Sequence, residues 1–366
     1  MSAFISRPAN APEENMMVDH APSPSKTMRT VRLRDAASGL DGVIAIHSTA
    51  LGPGAGGCRF WRYPDIEAAT QDACRLAKGM SYKNAMAELP LGGAKAVLRY
   101  PEGDFDRVAL FQAFGKAVEA LEGLYVTAED VGTSVADMEQ VSTMTRHVAG
   151  LHPAQDMAGG DPSPWTALGV FDSMRMAAQL ALKADLDALT VAVQGVGNVG
   201  ASLCRQLAEA GAKLVIADID AERCRALADE LGARVVDVAD IAAVEADIFA
   251  PCALGGALTQ DSVAAMKAQL VCGAANNQLA TPDVADALLA RGIVYAPDYV
   301  VNAGGIISVS AEYLGEDEAS VRTRVARIGP RVARILEQAA REGRSPAVVA
   351  DEMAEAVIAG AAEKAA

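Results

Sequence analysis

The sequence predicts an α/β protein with two domains, and three observations support this. The chain has 366 residues, whereas a single hydrophobic core stops growing at about 250–300 residues. Hydrophobic residues make up 51% of the chain, which is ample for two cores. Between residues 190 and 296, apolar runs alternate with helical patterns, which is typical of a parallel sheet covered by helices on both faces. We therefore predict an N-terminal α/β domain followed by a doubly wound domain.

Composition and charge exclude several classes of partner. The net charge of −15 argues against nucleic acid, because that binding depends on neutralising phosphates, and equally against an anionic membrane surface. No apolar run approaches the ~20 residues that a membrane helix needs. The six cysteines include no CxxC pair, and the four histidines lack zinc-ligand spacing. We therefore predict no disulfide framework, no metal site and a reducing cytoplasmic location.

The first domain is predicted over residues 28–150. Residues 1–27 contain four prolines and no apolar run after a basic start, so we expect a flexible tail and not a secretion signal. The runs MRTVRLRD and GVIAIHS predict two strands joined by a glycine turn. Helices are predicted over residues 65–79 and 105–121, and a short strand over residues 124–127.

Two lysines twelve residues apart, in the stretch GMSYKNAMAELPLGGAKAV, are the strongest chemical signal. Lys83 follows an amphipathic segment, and Lys95 lies between a glycine pair and an apolar run. If both enter one pocket that excludes water, desolvation and like charge lower their pKa values, so one can be neutral near neutral pH. A neutral lysine is a general base, and a charged lysine pairs with a carboxylate substrate. The alternative is that both are ordinary surface lysines.

The second domain is predicted over residues 151–329. Residues 151–164 are rich in glycine and proline and predict a hinge loop, followed by a helix over residues 165–183. Six strands are predicted at residues 190–194, 213–218, 234–236, 248–250, 270–272 and 294–296. The chain is helical after residue 319, and we expect its last helices, from about residue 330 to 366, to pack back against the first domain.

A glycine motif follows the first of these six strands. Gly195, Gly197 and Gly200 form G-x-G-x-x-G at the start of a predicted helix, where glycines allow a tight turn and close approach of a pyrophosphate. Asp218 ends the next strand, where it can accept hydrogen bonds from ribose hydroxyls and would repel a 2′-phosphate. We therefore predict a Rossmann-type domain that binds NAD rather than NADP. A glycine turn without a cofactor, and Asp218 as a helix cap, stay open as alternatives.

Eight runs, in this order, carry a family resemblance. They are AGGCRFW, LAKGMSYKNAMAELPLGGAKAV, TAEDVGTS, PSPWTALGV, VAVQGVGNVG, APCALGG, GAANNQL and APDYVVNAGG. With these motifs the chain resembles the glutamate, leucine, phenylalanine and valine dehydrogenase family, and most resembles its leucine, valine and phenylalanine members. The resemblance implies an N-terminal domain for substrate binding and oligomerisation, and hence a homo-oligomer.

The resemblance also implies a role for each matched position. Lys83 would bind the substrate α-carboxylate beside the loop of Gly56 and Gly57. Lys95 would activate water, and Asp130 would exchange a proton with the amino group, although local sequence alone also allows Asp130 to be a helix N-cap. The implied cofactor-binding residues are Gly195, Gly197, Asn198, Val199, Gly200, Asp218, Thr166, Cys252, Ala253 and Asn276.

The implied reaction is reversible, NAD-dependent oxidative deamination of an L-amino acid to a 2-oxo acid and ammonia. The glutamate enzymes carry a lysine where this chain has Ala55, and an unpaired second carboxylate would be costly to bury there. An apolar substrate is therefore expected. The implied pocket contains Asn302 and is lined by Ala55, Ala128, Ala149, Ile306 and Val309.

The sizes of these side chains leave the preferred substrate open. Ala128 and Ile306 resemble the leucine and valine enzymes, whereas small residues at Ala55 and Ala149 leave room for phenylalanine. We favour leucine, valine and isoleucine, with phenylalanine as the alternative. A hydroxy-acid dehydrogenase would need a histidine or arginine motif near the carbonyl group. A non-enzymatic NAD-binding regulator would have lost a catalytic group, yet both lysines and Asp130 are present.

Overall fold

The computed structural model describes residues 19–21, 28–151 and 160–365. They form two α/β domains, each built around its own sheet, so the predicted fold class is confirmed. Most of the predicted tail, residues 152–159 of the predicted hinge loop and residue 366 lie outside the described residues. The predicted domain limits at residues 150 and 329 stay predictions.

The first sheet is mixed. Its strands are β1 (Asp19–Ala21), β2 (Arg29–Asp35), β3 (Leu40–Ser48), β4 (Gly54–Ala55), β5 (Cys58–Trp61), β6 (Gly92–Arg99) and β7 (Tyr125–Val126). The order is β1-β2-β3-β6-β4-β7, with β5 also paired to β6. Strands β1, β2, β3 and β6 pair antiparallel, and β4, β5 and β7 pair parallel. Strand β6 is buried along nearly its whole length, and it carries Lys95 into the interior.

Strand β1 departs from the prediction. It lies inside the segment expected to be a flexible tail, yet its three residues pair antiparallel with Thr30, Val31 and Arg32 of β2. The prolines around it gave no sign of a strand, because strand pairing at a sheet edge depends on an available partner more than on the local sequence.

The first domain has three helices. They are α1 (Ile66–Met86), α2 (Arg107–Glu119) and α3 (Val135–Ser142). Asp65 caps α1 by accepting a hydrogen bond from the Ala68 amide at 2.7 Å. The predicted end at residue 79 was wrong, because α1 continues for two further turns and places Lys83 in its last turn. Gly79 disfavours a helix locally, but burial of Tyr82 and the residues after it against the sheet outweighs that cost.

The second sheet is parallel throughout. Its strands are β8 (Thr190–Gln194), β9 (Lys213–Ala217), β10 (Arg234–Val235), β11 (Ile248–Pro251), β12 (Leu270–Val271) and β13 (Val294–Tyr295). All six predicted strands are present, in the order β10-β9-β8-β11-β12-β13. The order reverses between β8 and β11, and ligands of such sheets bind in the crevice at that point, outside the carboxyl ends of the strands.

Ten α-helices and two short 3₁₀ helices complete the described chain. The α-helices are α4 (Ser163–Ala181), α5 (Asn198–Glu209), α6 (Ala221–Leu231), α7 (Gln260–Ala265), α8 (Val284–Ala290), α9 (Asp298–Val301), α10 (Gly304–Leu314), α11 (Glu318–Val325), α12 (Ile328–Glu342) and α13 (Pro346–Ala365). Helix α12 packs on α4, whereas α13 packs on α1 of the first domain. Among the described residues, no helix is both long enough and apolar enough to pass through a lipid bilayer.

Candidate active site

A cavity of about 220 Å³ lies between the two domains. The first domain contributes Lys83, Lys95 and Asp130 to its lining, and the second contributes Asn276 and Asp298. Two larger grooves, of about 770 and 740 Å³, lie beside α13. We assign the site to the smaller cavity because titratable groups from both domains meet there, which size alone does not indicate. No group of three or more potential metal ligands occurs in the described part of the chain.

Lys95 lies on β6 with only 4% of its surface exposed. Its Nζ is 3.1 Å from Oδ1 of Asp130. Burial lowers the pKa of Lys95 below its usual value, and the Asp130 carboxylate opposes that shift only in part. The lysine is therefore easier to deprotonate than an exposed one, as a general base requires.

Asp130 follows β7 and faces two cations. Its Oδ1 pairs with Lys95, and its Oδ2 accepts a hydrogen bond from Nε of Arg59 at 3.0 Å. Burial alone would raise the pKa of Asp130, but the charges of Lys95 and Arg59 lower it below its usual value. The alternative of a helix cap is wrong, because Ser134 caps α3 in a capping box with Asp137.

Lys83 connects the two domains. Its Nζ donates a hydrogen bond to Oδ1 of Asn276 at 3.1 Å. Burial lowers the pKa of Lys83 to about 8, while the carboxylate of Asp298 opposes the shift and the charge of Lys95 adds to it. Desolvation is thus the larger of the two causes that the sequence suggested. Lys83 is still mainly protonated at neutral pH, as an anion-binding group must be.

The glycine loop between β4 and β5 packs tightly against β6 and the segment of Asp130. A Cβ on Gly56 would lie 1.9 Å from the Ala94 carbonyl oxygen, and a Cβ on Gly57 would lie 2.9 Å from Cβ of Asp130. The hydroxyl of Tyr125 donates a hydrogen bond to the Gly56 carbonyl at 2.7 Å. Only glycine allows this approach, so the loop borders both Lys95 and Asp130.

Asn302 follows α9 and joins the same cluster. Its Nδ2 donates hydrogen bonds to Oδ1 of Asn276 at 2.9 Å and to the Ala274 carbonyl at 3.1 Å. Its Oδ1 is buried without a partner among the described residues. A buried acceptor without a donor is costly, so a ligand that donates a hydrogen bond to this oxygen would be stabilised.

The five apolar residues predicted for the pocket do not line the 220 Å³ cavity. Ala55 lies on β4, and Ala128 and Ala149 lie on neighbouring segments, because the Ala149 amide donates to the Thr127 carbonyl at 2.8 Å. Ile306 and Val309 are half-buried on α10. Helix α10 reaches the segment after Ala149 through Glu312, which accepts hydrogen bonds from the amides of residues 150 and 151. These residues therefore lie on elements that meet outside the 220 Å³ cavity.

The glycine loop after β8 makes a tight turn at the start of α5. Gly195 has a φ of +94°, and a Cβ on Gly200 would lie 2.0 Å from the Gly195 carbonyl oxygen. By contrast, a Cβ on Gly197 would meet nothing within 4 Å. Gly197 is the N-cap of α5 and provides no side-chain cap, so the first amides of the helix are available to a phosphate. Asn198 and Val199 begin this helix, exposed and half-buried.

Three further predicted cofactor residues, Asp218, Cys252 and Ala253, lie beside this loop. Asp218 accepts hydrogen bonds from the amides of Val196 at 2.6 Å and Asp220 at 2.8 Å. The helix cap of α6 is Asp220, so the cap alternative for Asp218 is wrong, and its oxygens keep free lone pairs. Cys252 joins the end of β8 through its amide, which donates to the Gln194 carbonyl. Ala253 lies directly against Gly195.

Thr166 lies at the N-terminus of α4, where it contacts the start of α10. A Cβ on Gly305 would approach its Oγ1 to 2.8 Å, and this oxygen donates to the Pro162 carbonyl at 3.1 Å. Thr166 is not in the lining of the 220 Å³ cavity.

Sequence reasoning missed several residues of the cavity, among them Arg59, Asp298 and Tyr299. Arg59 stands in the quoted run AGGCRFW, and an arginine in an otherwise apolar strand was the signal that could have found it. Asp298 is buried with its carboxylate held by the amides of Gln278 and Tyr299. Its burial comes from tertiary packing, which the local sequence does not report.

The nucleotide loop and the lysine–aspartate cavity together define the class of this protein. A glycine loop at the start of a helix is typical of dinucleotide-binding sites, and a lysine beside a lysine–aspartate pair is typical of sites that bind anions and move protons. The chain is an NAD-dependent oxidoreductase with a small-molecule substrate.

Comparisons with known proteins narrow this class. Residues 26–147 match the family model described as "Glu/Leu/Phe/Val dehydrogenase, dimerisation domain", and residues 216–365 match "Glutamate/Leucine/Phenylalanine/Valine dehydrogenase". The chain is 46% identical over 323 residues to the leucine dehydrogenase of Bacillus subtilis, covering 88% of each chain. It is 46% identical over 332 residues to the valine dehydrogenase of Streptomyces albus, covering 89% of this chain and 91% of the relative.

A solved structure agrees. The L-tryptophan dehydrogenase from Nostoc punctiforme superposes with a TM-score of 0.82 at 36% identity, over 91% of this chain and 96% of that one. The chain therefore belongs to the glutamate/leucine/phenylalanine/valine dehydrogenase family. It is an amino acid dehydrogenase.

Proposed function

We propose that the protein catalyses reversible oxidative deamination of branched-chain L-amino acids, with NAD as the hydride acceptor and a 2-oxo acid and ammonia as products. One observation carries this proposal most strongly. Lys83, Lys95 and Asp130 line one cavity, and Lys95 forms an ion pair with Asp130 at 3.1 Å. A cation for a carboxylate and an acid–base pair beside it are the groups that this reaction needs.

Substrate binding uses Lys83 and the groups around it. Its ammonium group pairs with the α-carboxylate and exchanges its present bond to Asn276 for that stronger, charge-assisted one. The unpartnered Oδ1 of Asn302 accepts a hydrogen bond from the amino group. The loop of Gly56 and Gly57 can pack this closely on β6 and the segment of Asp130 only because neither residue carries a side chain.

Proton transfer uses the pair of Lys95 and Asp130. NAD, when bound, accepts a hydride from Cα, which requires the amino group to be neutral first. Asp130 takes that proton and becomes neutral. Lys95 then has no negatively charged neighbour at Asp130. Without this counter-ion the ammonium form of buried Lys95 is destabilised further, so Lys95 releases its proton to solvent. The neutral amine then takes a proton from the water that attacks the iminium carbon. Asp130 returns its proton to the leaving ammonia.

The substrate class follows from Ala55 and its neighbours. Ala55 is 5% exposed, and it provides no cation for a second carboxylate. Leucine and valine dehydrogenases are among the relatives at 46% identity, which supports a branched aliphatic side chain. Aromatic amino acids are the second candidate. The alanines at positions 55, 128 and 149 leave space, and a tryptophan dehydrogenase shares the fold at 36% identity.

A panel of steady-state measurements tests the proposal. The kcat/KM values for L-leucine, L-valine, L-isoleucine, L-phenylalanine, L-tryptophan and L-glutamate are compared with NAD and with NADP. We expect kcat/KM for the branched-chain substrates to exceed that for the others by about tenfold or more. One or two methylene groups in an apolar pocket change the relative binding of two substrates by ~1–3 kcal/mol. A lead by phenylalanine or tryptophan would reassign the substrate, and no turnover on the whole panel would favour a non-enzymatic regulator.

Assembly and location complete the proposal. The first domain matches a model described as a dimerisation domain, which supports a homo-oligomer formed through that domain. The scattered cysteines, all of them free in the structure, support a reducing cytoplasm. Light scattering of the purified protein measures the number of subunits, and a monomer at micromolar concentration would contradict the assembly.

A further inference from the structure

We propose that Arg59 is a positioning residue of the reaction: anchored by Asp72, it holds one carboxylate oxygen of Asp130 so that the other stays on Lys95. This inference rests on the proposed function and adds a residue to it. Neither the lysine pair nor the glycine motif indicated a role for Arg59. Arg59 acts on the reaction only through its contact with Asp130.

The strand register brings Arg59 to the correct face of the sheet. Strand β5 pairs parallel with β6, and Arg59 lies opposite Val97. Because side chains alternate along a strand, Lys95 and Val97 share one face of β6. Arg59 lies on that same face, which α1 covers. Asp72 of α1 is therefore within reach.

The contacts of Asp130 are divided between two cations. Nε of Arg59 donates to Oδ2 at 3.0 Å, and Nζ of Lys95 lies 3.1 Å from Oδ1. With each oxygen held from a different side, the carboxylate cannot rotate about its last bond without breaking an ion pair. The orientation needed for proton exchange with Lys95 is thus set before the substrate binds.

Arg59 is itself held in place. Its Nη1 donates to Oδ2 of Asp72 at 3.0 Å. Asp72 also accepts hydrogen bonds from the Tyr63 hydroxyl and from Arg75, both at 2.6 Å. The side chains of Arg59 and Asp72 are 19% and 17% exposed. The guanidinium group therefore bridges two carboxylates in a rigid fork, which an ammonium group cannot reproduce.

The charge of Arg59 has a second effect, on Lys95. The groups that face Lys95 are Asp130, Arg59, Cys58 and Lys83, and the charge of Arg59 lowers the pKa of Lys95. Removing that charge raises the lysine pKa, so a smaller fraction is neutral at a given pH. The acidic limb of the pH profile of kcat/KM, where the base becomes protonated, then moves to higher pH.

Three variants separate position from charge. Arg59→Met removes both, and we expect kcat/KM for the best amino acid to fall by about a hundredfold, with the acidic limb at higher pH and NAD affinity unchanged. Arg59→Lys keeps the positive charge but not the fork of the guanidinium group. Compared with Arg59→Met, its acidic limb should lie closer to the wild-type position, and its kcat/KM should be only partly restored. Asp72→Asn releases the anchor of Arg59 but keeps the positive charge of Arg59. We therefore expect kcat/KM to fall while the acidic limb of its pH profile stays in place.

Arg62→Met is the matched control. Arg62 is exposed and stacks on the Tyr100 ring at 4.7 Å, away from Asp130, and its loss should leave kcat/KM and the pH profile unchanged. The inference would be overturned if the Arg59→Met variant folds, keeps the wild-type kcat/KM and shows no shift in the acidic limb of its pH profile. If Arg59→Met does not fold, Asp72→Asn decides, and wild-type kcat/KM in that variant overturns it equally. An inactive wild type would instead refute the proposed function, so the two failures are distinguishable.

Discussion

The substitution Gly197→Ala tests the nucleotide site without disturbing the fold. A Cβ at this position meets nothing within 4 Å, and the φ of −67° and ψ of −165° are accessible to alanine. Alanine is a poorer N-cap than glycine, but it also reduces the entropy of the unfolded chain. We therefore expect the free energy of unfolding to change by less than about 1 kcal/mol.

NAD binding should respond much more strongly. The new methyl group fills the open space at the N-terminus of α5, where the helix amides would otherwise approach the pyrophosphate. Losing one hydrogen bond to a charged group costs about 1.5–3 kcal/mol. At 1.4 kcal/mol per factor of ten, the Kd for NAD should rise by about tenfold to a hundredfold.

Calorimetric titration with NAD measures the affinity, and thermal denaturation without cofactor measures stability. The matched control is Gly360→Ala on α13, which also meets nothing within 4 Å and should leave NAD affinity unchanged. Gly200→Ala is the contrasting case, because its Cβ would lie 2.0 Å from the Gly195 carbonyl oxygen and should destabilise the loop itself. An unchanged Kd in Gly197→Ala would show that the pyrophosphate does not bind at this helix.

Three further predictions concern the chemistry. Lys95→Ala should abolish turnover while the Kd for NAD stays within about twofold of the wild-type value; loss of NAD binding would mean that the lysine is misplaced in our scheme. Lys83, with a pKa of about 8, binds anions when protonated, so the inhibition constant of 4-methylpentanoate should be flat below that pH and rise above it. Lys83→Gln should show no such rise, and a rise that persists would assign the titration elsewhere. Ala55→Lys should lower kcat/KM for leucine by about tenfold or more, because it buries an unpaired ammonium; any gain for glutamate, measured in the same assay, would place position 55 beside the substrate side chain.

The strands of the second domain were predictable because each is a local pattern. A short apolar run bounded by turn residues is typical of a buried strand, and all six predicted strands are present. The glycine motif was equally predictable, since Gly195 and Gly200 have steric requirements that their own loop imposes. Errors arose where a distant partner decides the structure. Helix α1 runs past Gly79 because its last turns are buried, and β1 exists because β2 pairs with it.

The candidate site divides in the same way. Lys83, Lys95 and Asp130 were identified by residue type and motif, and the structure brings all three to one cavity. Arg59, which pairs with Asp130, and Asp298, which acts on Lys83, were not identified, because their importance comes only from what they contact. The apolar pocket was predicted as a set of residues, yet its members do not line the cavity described here.

The sequence alone was enough to predict the two domains, the parallel strands of the second domain and the chemical groups available for catalysis. These features depend on periodicity and residue type, which are properties of short segments. Only the tertiary structure decided that Arg59, Lys95 and Asp130, which are far apart along the chain, share the ion pairs at 3.0 and 3.1 Å. Strand register and burial set these distances and the resulting pKa shifts, and both depend on which segments pack together.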